Sequence, residues 1–299
     1  MLFDWIRTRP LRFLGAVALA FAVGAGGCAH LAEKERELTF RVVPGNASWY
    51  AGLPDGVEEI DIPLAGNEHI NAWWWPAVRA DAPAVLYFHG SRWNLTGQLS
   101  RIRQLHEFGF SVLAIDYRGF GKSAGGVPSE QSVYEDARAA WQRFTELVPD
   151  AHRRIIYGHS LGGAVAVDLA ASLDQASGAS GAKAARGLIV ESSFTTLVDM
   201  AKSLSYTWLP VQWVLSQKFD TLGKIAHVKM PVLFVHGGAD RFVPARFSQA
   251  LYEAARAPKR LLLVEGGSHN NSMRVASDEY REALAALFRL PASASASAR

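Results

Sequence analysis

A serine, an aspartate and a histidine occupy three places in this 299-residue chain where a short apolar run breaks into glycine. Ser160 lies in "RRIIYGHSLGGAVAVDLA" (153–170), Asp240 in "MPVLFVHGGADRFVP" (230–244) and His269 in "RLLLVEGGSHNN" (260–271). A hydroxyl attacks a carbonyl when a base takes its proton, a third group fixes the tautomer of that base, and N–H donors receive the oxyanion. In that scheme Ser160 attacks, His269 transfers the proton and Asp240 holds His269. The oxyanion donors expected are the backbone N–H of Ser91, in "FHGSRWN" (88–94), and that of Leu161, with Gly90 in reserve.

Gly158-His159-Ser160-Leu161-Gly162 fits G-x-S-x-G. The pattern carries chemistry only on a tight strand-to-helix turn that pushes the serine hydroxyl out above a sheet, with small residues two positions to either side. An apolar strand precedes it and helical spacing follows. The order Ser160, Asp240, His269 is the order in which such a sheet presents nucleophile, acid and base.

The elements that must position these residues follow from hydrophobic periodicity. Antiparallel entry strands are expected in "LTFRVV" (38–43), "VEEIDIPL" (57–64) and "INAWWWPA" (70–77), the tryptophans Trp73 to Trp75 facing a core. Buried strands are expected at 84–90 and 109–119, and further strands at 153–157, 187–191, 231–236 and 260–264. Helices are expected at 129–148 with Ser129 as N-cap, from about 160, at 244–257 and at 271–289, with one helix around Pro210. Apolar strands alternating with helices predict an α/β fold: a mostly parallel central sheet with antiparallel N-terminal strands and helices on both faces. Sites in such sheets lie at the carboxyl ends of the strands. "SGASGAKAARG" (177–187) reads as a surface loop, and residues 291–299 as a low-complexity tail.

Several residues compete for the same chemistry. Glu191, in "LIVESSF", also ends a strand and is the alternative acid. His159 fills the variable slot of the turn and reads as a neighbour of the reaction. His89 and His236 precede glycines and read as loop-shaping residues, and Asp116 and Arg118 in "DYRG" as an ion pair. "GFGKSA" (119–124) mimics a dinucleotide fingerprint but follows several strands and runs into a loop with Pro128 before any helix. With no P-loop, HExxH or EF-hand pattern, neither metal nor nucleotide cofactor is expected.

Composition narrows the remaining classes. The chain is 49% hydrophobic and 20% charged, which suits one large core. Its formal charge of +3 includes Arg7, Arg9, Arg12 and Asp4; without residues 1–27, 28 basic residues face 27 acidic ones. No basic stripe then points to nucleic acid. The lone Cys28 excludes an internal disulfide and a multi-cysteine zinc site. Residues 1–27 have the layout of a secretory signal, with arginines, an uncharged run from Phe13 to Ala29, and small residues before Cys28. "AGGC" resembles the lipobox of bacterial lipoproteins, with Ala25 where leucine is usual, so Cys28 is the expected lipid-carrying residue. An uncleaved anchor is the alternative, although the run is short of the ~20 residues a spanning helix needs. Either arrangement predicts an exported protein held at a membrane and facing the periplasm or cell exterior.

Taken together, "VLYFHGS", "DYRGFGKSAG", "GHSLGG", "HGGADRFVP" and "GGSHNN" resemble the alpha/beta-hydrolase superfamily. More narrowly they resemble its single-domain serine hydrolases with a short cap, a group that includes lipid esterases and protein depalmitoylases. The resemblance covers residues 57–290 and places the cap at about 194–229, after a linker and entry strand at 28–56. It implies hydrolysis of a small-molecule acyl ester or thioester through a covalent acyl-enzyme. An aminopeptidase-type amide hydrolase is the first alternative, and a noncatalytic binding protein on the same fold the second. The apolar tract "SYTWLPVQWVLSQKF", with Trp208, Leu209, Trp213, Val214 and Leu215, either lines an acyl pocket or packs as one helix on the sheet.

Overall fold

A computed structural model describes residues 29–177, 184–204 and 211–290. Its centre is an eight-stranded sheet in the order β1-β2-β4-β3-β5-β6-β7-β8. The strands are β1 (Glu58–Pro63), β2 (His69–Trp75), β3 (Ala84–Phe88), β4 (Ser111–Ile115), β5 (Arg154–His159), β6 (Gly187–Glu191), β7 (Val232–Gly237) and β8 (Lys259–Val264). β2 pairs antiparallel with β1 and β4, and all other pairings are parallel. β3, β4, β6 and β7 are buried at every position. That is why they read as unbroken apolar runs rather than alternating ones.

The period of two still decides which layer each side chain joins. Ala84, Leu86 and Phe88 enter one core with Val133, Ala137 and Phe144, while Val85 and Tyr87 enter the other with Leu105 and Leu284. The first layer is built by the helices Glu130–Leu147 and Leu161–Ala176, the second by Leu95–Glu107 and Ser277–Phe288. Ser129 caps the helix it precedes in a reciprocal capping box with Ser132. The helix Leu95–Glu107 is absent from the sequence reading, although Asn94 caps it by accepting from Thr96 N. Trp73 is buried, and Trp74 and Trp75 are half-buried on β2.

Three expectations are corrected. Residues 29–40 form a helix, so "LTFRVV" is the end of that helix and an irregular segment rather than an entry strand. The C-terminal helix is two, Ser272–Val275 and Ser277–Phe288, broken at Ala276. Asp116 and Arg118 do not pair with each other: Arg118 binds Asp136 (2.7 Å) and Glu135 (2.7 Å), while Asp116 accepts from Leu95 N (2.9 Å). β4 ends at Ile115 and the chain turns at Arg118, which carries the guanidinium to the helix Glu130–Leu147 and away from Asp116. The signal segment with Cys28, the tail, Trp208 and Leu209 lie outside the described residues.

Candidate active site

The strand-to-helix turn holds Ser160 in a conformation that side chains rarely adopt, φ 56° and ψ −121°. Such a backbone costs of order 1–3 kcal/mol and persists only where its surroundings enforce it. Two hydrogen bonds do so here, from Ser160 N to Glu191 O and from Gly163 N to Ser160 O, both 2.9 Å. The flanking glycines are obligatory: a Cβ on Gly158 would lie 2.1 Å from Gly162 O, and one on Gly162 would lie 2.1 Å from Phe88 O. Both obstacles are backbone and cannot swing aside.

The loop after β3 lies directly against the nucleophile candidate. A Cβ on Gly90 would sit 3.0 Å from Ser160 Cβ and 3.5 Å from Oγ. The loop is braced from outside, since Arg92 N donates to Phe40 O (2.7 Å) and Val43 N to Arg92 O (2.9 Å). His89 Nδ1–H donates to Gly90 O (2.6 Å). Ser91, Ser160 and Leu161 then line one cleft. Leu161 opens its helix, so its N–H has no acceptor within that helix and faces the site with the positive end of the helix dipole.

The loops after β7 and β8 are zipped together by Gly238 N to Val264 O (2.7 Å) and Ala239 N to Gly267 O (2.8 Å). They bring His269 Nδ1–H onto Asp240 Oδ2 at 2.7 Å. The other Asp240 oxygen accepts from the N–H groups of Phe242 (2.8 Å) and Val243 (3.0 Å). His236 Nε2 lies 3.2 Å from Oδ2 and donates to Val243 O, while its Nδ1 meets Ser248 Oγ at 2.7 Å. Burial pushes the Asp240 carboxyl up, but hydrogen bonds from His236 and His269 outweigh it and hold the group well below the usual carboxylate range. An anion therefore stands behind His269 at any neutral pH, suited to stabilising an imidazolium.

Glu191 is engaged elsewhere. Its carboxylate takes Arg101 Nη1–H (2.6 Å), Tyr157 O–H and Tyr280 O–H (3.0 Å), fully buried beneath the strand ends. The structure thus brings Asp240, and not Glu191, to His269.

His159 ties the turn to the loop of His269. Its Nε2–H donates to the His269 carbonyl oxygen (2.8 Å), and the two rings lie 4.9 Å apart. Burial, then the charges of Arg101 and His269, push its pKa well below the ordinary histidine value, so it stays neutral. Its buried Nδ1 finds no partner among the described residues. His159→Phe keeps the ring volume but loses the donor, and kcat/KM for a short aryl ester should fall about tenfold, the worth of one good hydrogen bond. His159→Gln restores a donor and should stay within about threefold of wild type; equal losses in both variants would count against the tie.

Above Ser160 opens a cleft of about 640 Å³. Its cap wall carries Leu197, Met200 and Leu215, and the opposite wall Leu31 and Leu38 from the helix at 29–40. Among the described residues the cap holds three short helices, Leu197–Ser203, Val211–Val214 and Thr221–Ile225, where a helical tract was expected. Trp213 is largely exposed and does not line the cleft, while Leu215 does; the side chains of Trp208, Leu209 and Val214 lie outside the described residues. The wall at 29–40 is absent from the sequence reading, although Leu31, Lys34, Glu35, Leu38 and Thr39 recur at helical spacing. Glu35 clamps wall to cap, accepting from Ser216 N (2.8 Å), Ser216 Oγ (2.6 Å) and Gln217 N (2.8 Å).

The comparisons agree with this architecture. The esterase Pf2001 of Pyrococcus furiosus superimposes with a TM-score of 0.62, covering 83% of this chain and 94% of that one at 20% identity, a likeness of fold. The family model Hydrolase_4, described as "Serine aminopeptidase, S33", matches residues 80–222. The uncharacterized protein Rv2307c of Mycobacterium tuberculosis is 32% identical over 262 residues, 87% of this chain and 89% of that protein. The chain belongs to the alpha/beta-hydrolase superfamily. The hydrolase is also similar to the lysophosphatidylserine lipase ABHD12 of Danio rerio, 30% identical over 203 residues, 63% of this chain and 51% of that protein.

Proposed function

We propose that this hydrolase cleaves a carboxylic ester or thioester through a covalent acyl-enzyme. Ser160 Oγ attacks the acyl carbon as His269 takes its proton, and the oxyanion rests on the N–H groups of Ser91 and Leu161. His269 then protonates the leaving alcohol or thiol, which departs and leaves Ser160 acylated. Water activated by His269 releases the acid and restores the serine. Asp240 keeps the His269 tautomer and balances its positive charge. The observation that carries the reading is the His269–Asp240 pair, joined through His159 to the strained Ser160 turn at the floor of an apolar cleft.

The aminopeptidase-type alternative has the description of the matching family model in its favour. A free amine would need a carboxylate open to it. Glu35, the one acidic residue lining the cleft among the described residues, already receives three donors. Export by residues 1–27 and lipid attachment at Cys28 belong to the same proposal and are supported by the sequence pattern alone.

A panel of p-nitrophenyl esters of two to sixteen carbons, the matching thioesters and an aminoacyl anilide tests the reading. Expected are ester and thioester turnover and covalent labelling by a fluorophosphonate, with the anilide at least about 100-fold slower, because amide cleavage asks for a positioned amine and a harder leaving group. Anilide turnover matching the esters would favour the amide reading, and absence of labelling would leave a binding protein.

A further inference from the structure

We propose that the mouth of the cleft rests on a lipid bilayer and draws its acyl substrate from that bilayer rather than from water; the inference builds on the ester-hydrolase reading. Five large apolar side chains stand exposed on the segments that form or border this cleft: Leu31, Leu38, Leu204, Trp213 and Phe242. Leu31, Leu38 and Leu204 line the cleft itself. Trp213 is 84% exposed on the four-residue helix whose Val211 lines the cleft, and the Phe242 ring lies 5.7 Å from that of His269. Scattered apolar residues are ordinary on a protein surface, but a ring of them about one opening marks a contact surface. The ring draws on the helix at 29–40, the cap and the acid loop, so no single element's packing accounts for it.

The chain order and the charges favour a bilayer as the occupant. Cys28, the proposed lipid-carrying residue at the end of the uncharged run from Phe13, immediately precedes the helix that carries Leu31 and Leu38. An apolar phase that takes up the lipid on Cys28, or the run itself where it is kept, would be the one this ring meets. Charges on the helix alternate in sign through Glu33, Lys34, Glu35, Arg36 and Glu37, and Lys34 is paired with Glu37 at 2.6 Å. The attraction is therefore apolar and does not require anionic lipid, and an exposed tryptophan suits the boundary between headgroups and acyl chains.

The test uses the full chain and two substrates of the same chemistry: p-nitrophenyl butyrate dissolved in water, and p-nitrophenyl palmitate embedded in phosphatidylcholine vesicles. Trp213→Ser, outside the cleft lining, should keep kcat/KM on the dissolved ester within about twofold. On vesicles it should raise the lipid concentration for half-maximal rate by at least about fivefold and leave the rate at saturating lipid unchanged. In parallel, the Trp213 emission, taken as the difference between wild type and variant, should be quenched by vesicles of brominated phosphatidylcholine. Equal losses on both substrates, no loss on vesicles, or an unquenched difference would each overturn the docking surface. Failure of the underlying reading looks different, since wild type would then hydrolyse neither ester, or Ser160→Ala would hydrolyse both as fast as wild type.

Discussion

Ser160→Ala is expected to lower kcat for ester hydrolysis by about 10⁵–10⁶-fold while the fold and KM stay near wild type. The size follows from the division of labour at the turn. Without the hydroxyl no acyl-enzyme forms, and what remains is water attacking a substrate held by the N–H groups of Ser91 and Leu161, a residual of about 10³–10⁴ over the uncatalysed rate. Alanine also removes no packing: the Ser160 side chain makes no cap hydrogen bond, and its backbone is held by bonds to Glu191 and Gly163 that alanine keeps. The measurement is a burst and steady-state assay on p-nitrophenyl butyrate with melting curves for both proteins. A loss below about tenfold in a folded variant would remove Ser160 from the mechanism.

The second large effect separates the two candidate acids. Asp240→Asn should lower kcat by about 10⁴-fold, because an amide can present its N–H to His269 and favour the wrong tautomer. It leaves Phe242 N and Val243 N an acceptor in the amide oxygen, so the loop should survive. Glu191→Gln should behave in the opposite way. It strands the Arg101 cation in a buried site, a change worth about 3–5 kcal/mol of stability, with kcat of the folded protein within a few-fold of wild type. Denaturant midpoints and kcat on one substrate decide the matter. A large kcat loss in the Glu191→Gln variant with normal stability would reverse the assignment.

The candidate residues that the structure brings together were legible because each marks its own strand end. A glycine-bounded serine after an apolar strand, an aspartate after "VHGG" and a histidine after "EGGS" are local signals, and local signals survive in a linear sequence. The same locality explains the misses. Asp116 and Arg118 are two residues apart, so an ion pair looked natural, yet the turn after β4 carries Arg118 to Asp136 and Glu135 on a helix that begins only at Glu130. The helix at 29–40 carried a helical repeat that was legible, but the short run "LTFRVV" at its end fits a strand equally well, and its role as a cleft wall depends on contacts to Ser216 and Gln217 more than 180 positions away.

Residue order alone therefore pointed to the class of sheet, to the turn around Ser160 and to His269 as the histidine near it, because hydrophobic period and glycine placement act over a few neighbouring residues. It left two carboxylates, Asp240 and Glu191, both ending strands of one parallel pair. Tertiary structure separates them by what each meets. Glu191 is drawn into a buried network with Arg101, Tyr157 and Tyr280, while the loop carrying Asp240 reaches across to His269. The shape of the cleft was decided the same way, since its two walls come from segments far apart in the chain that meet only through packing on the finished sheet.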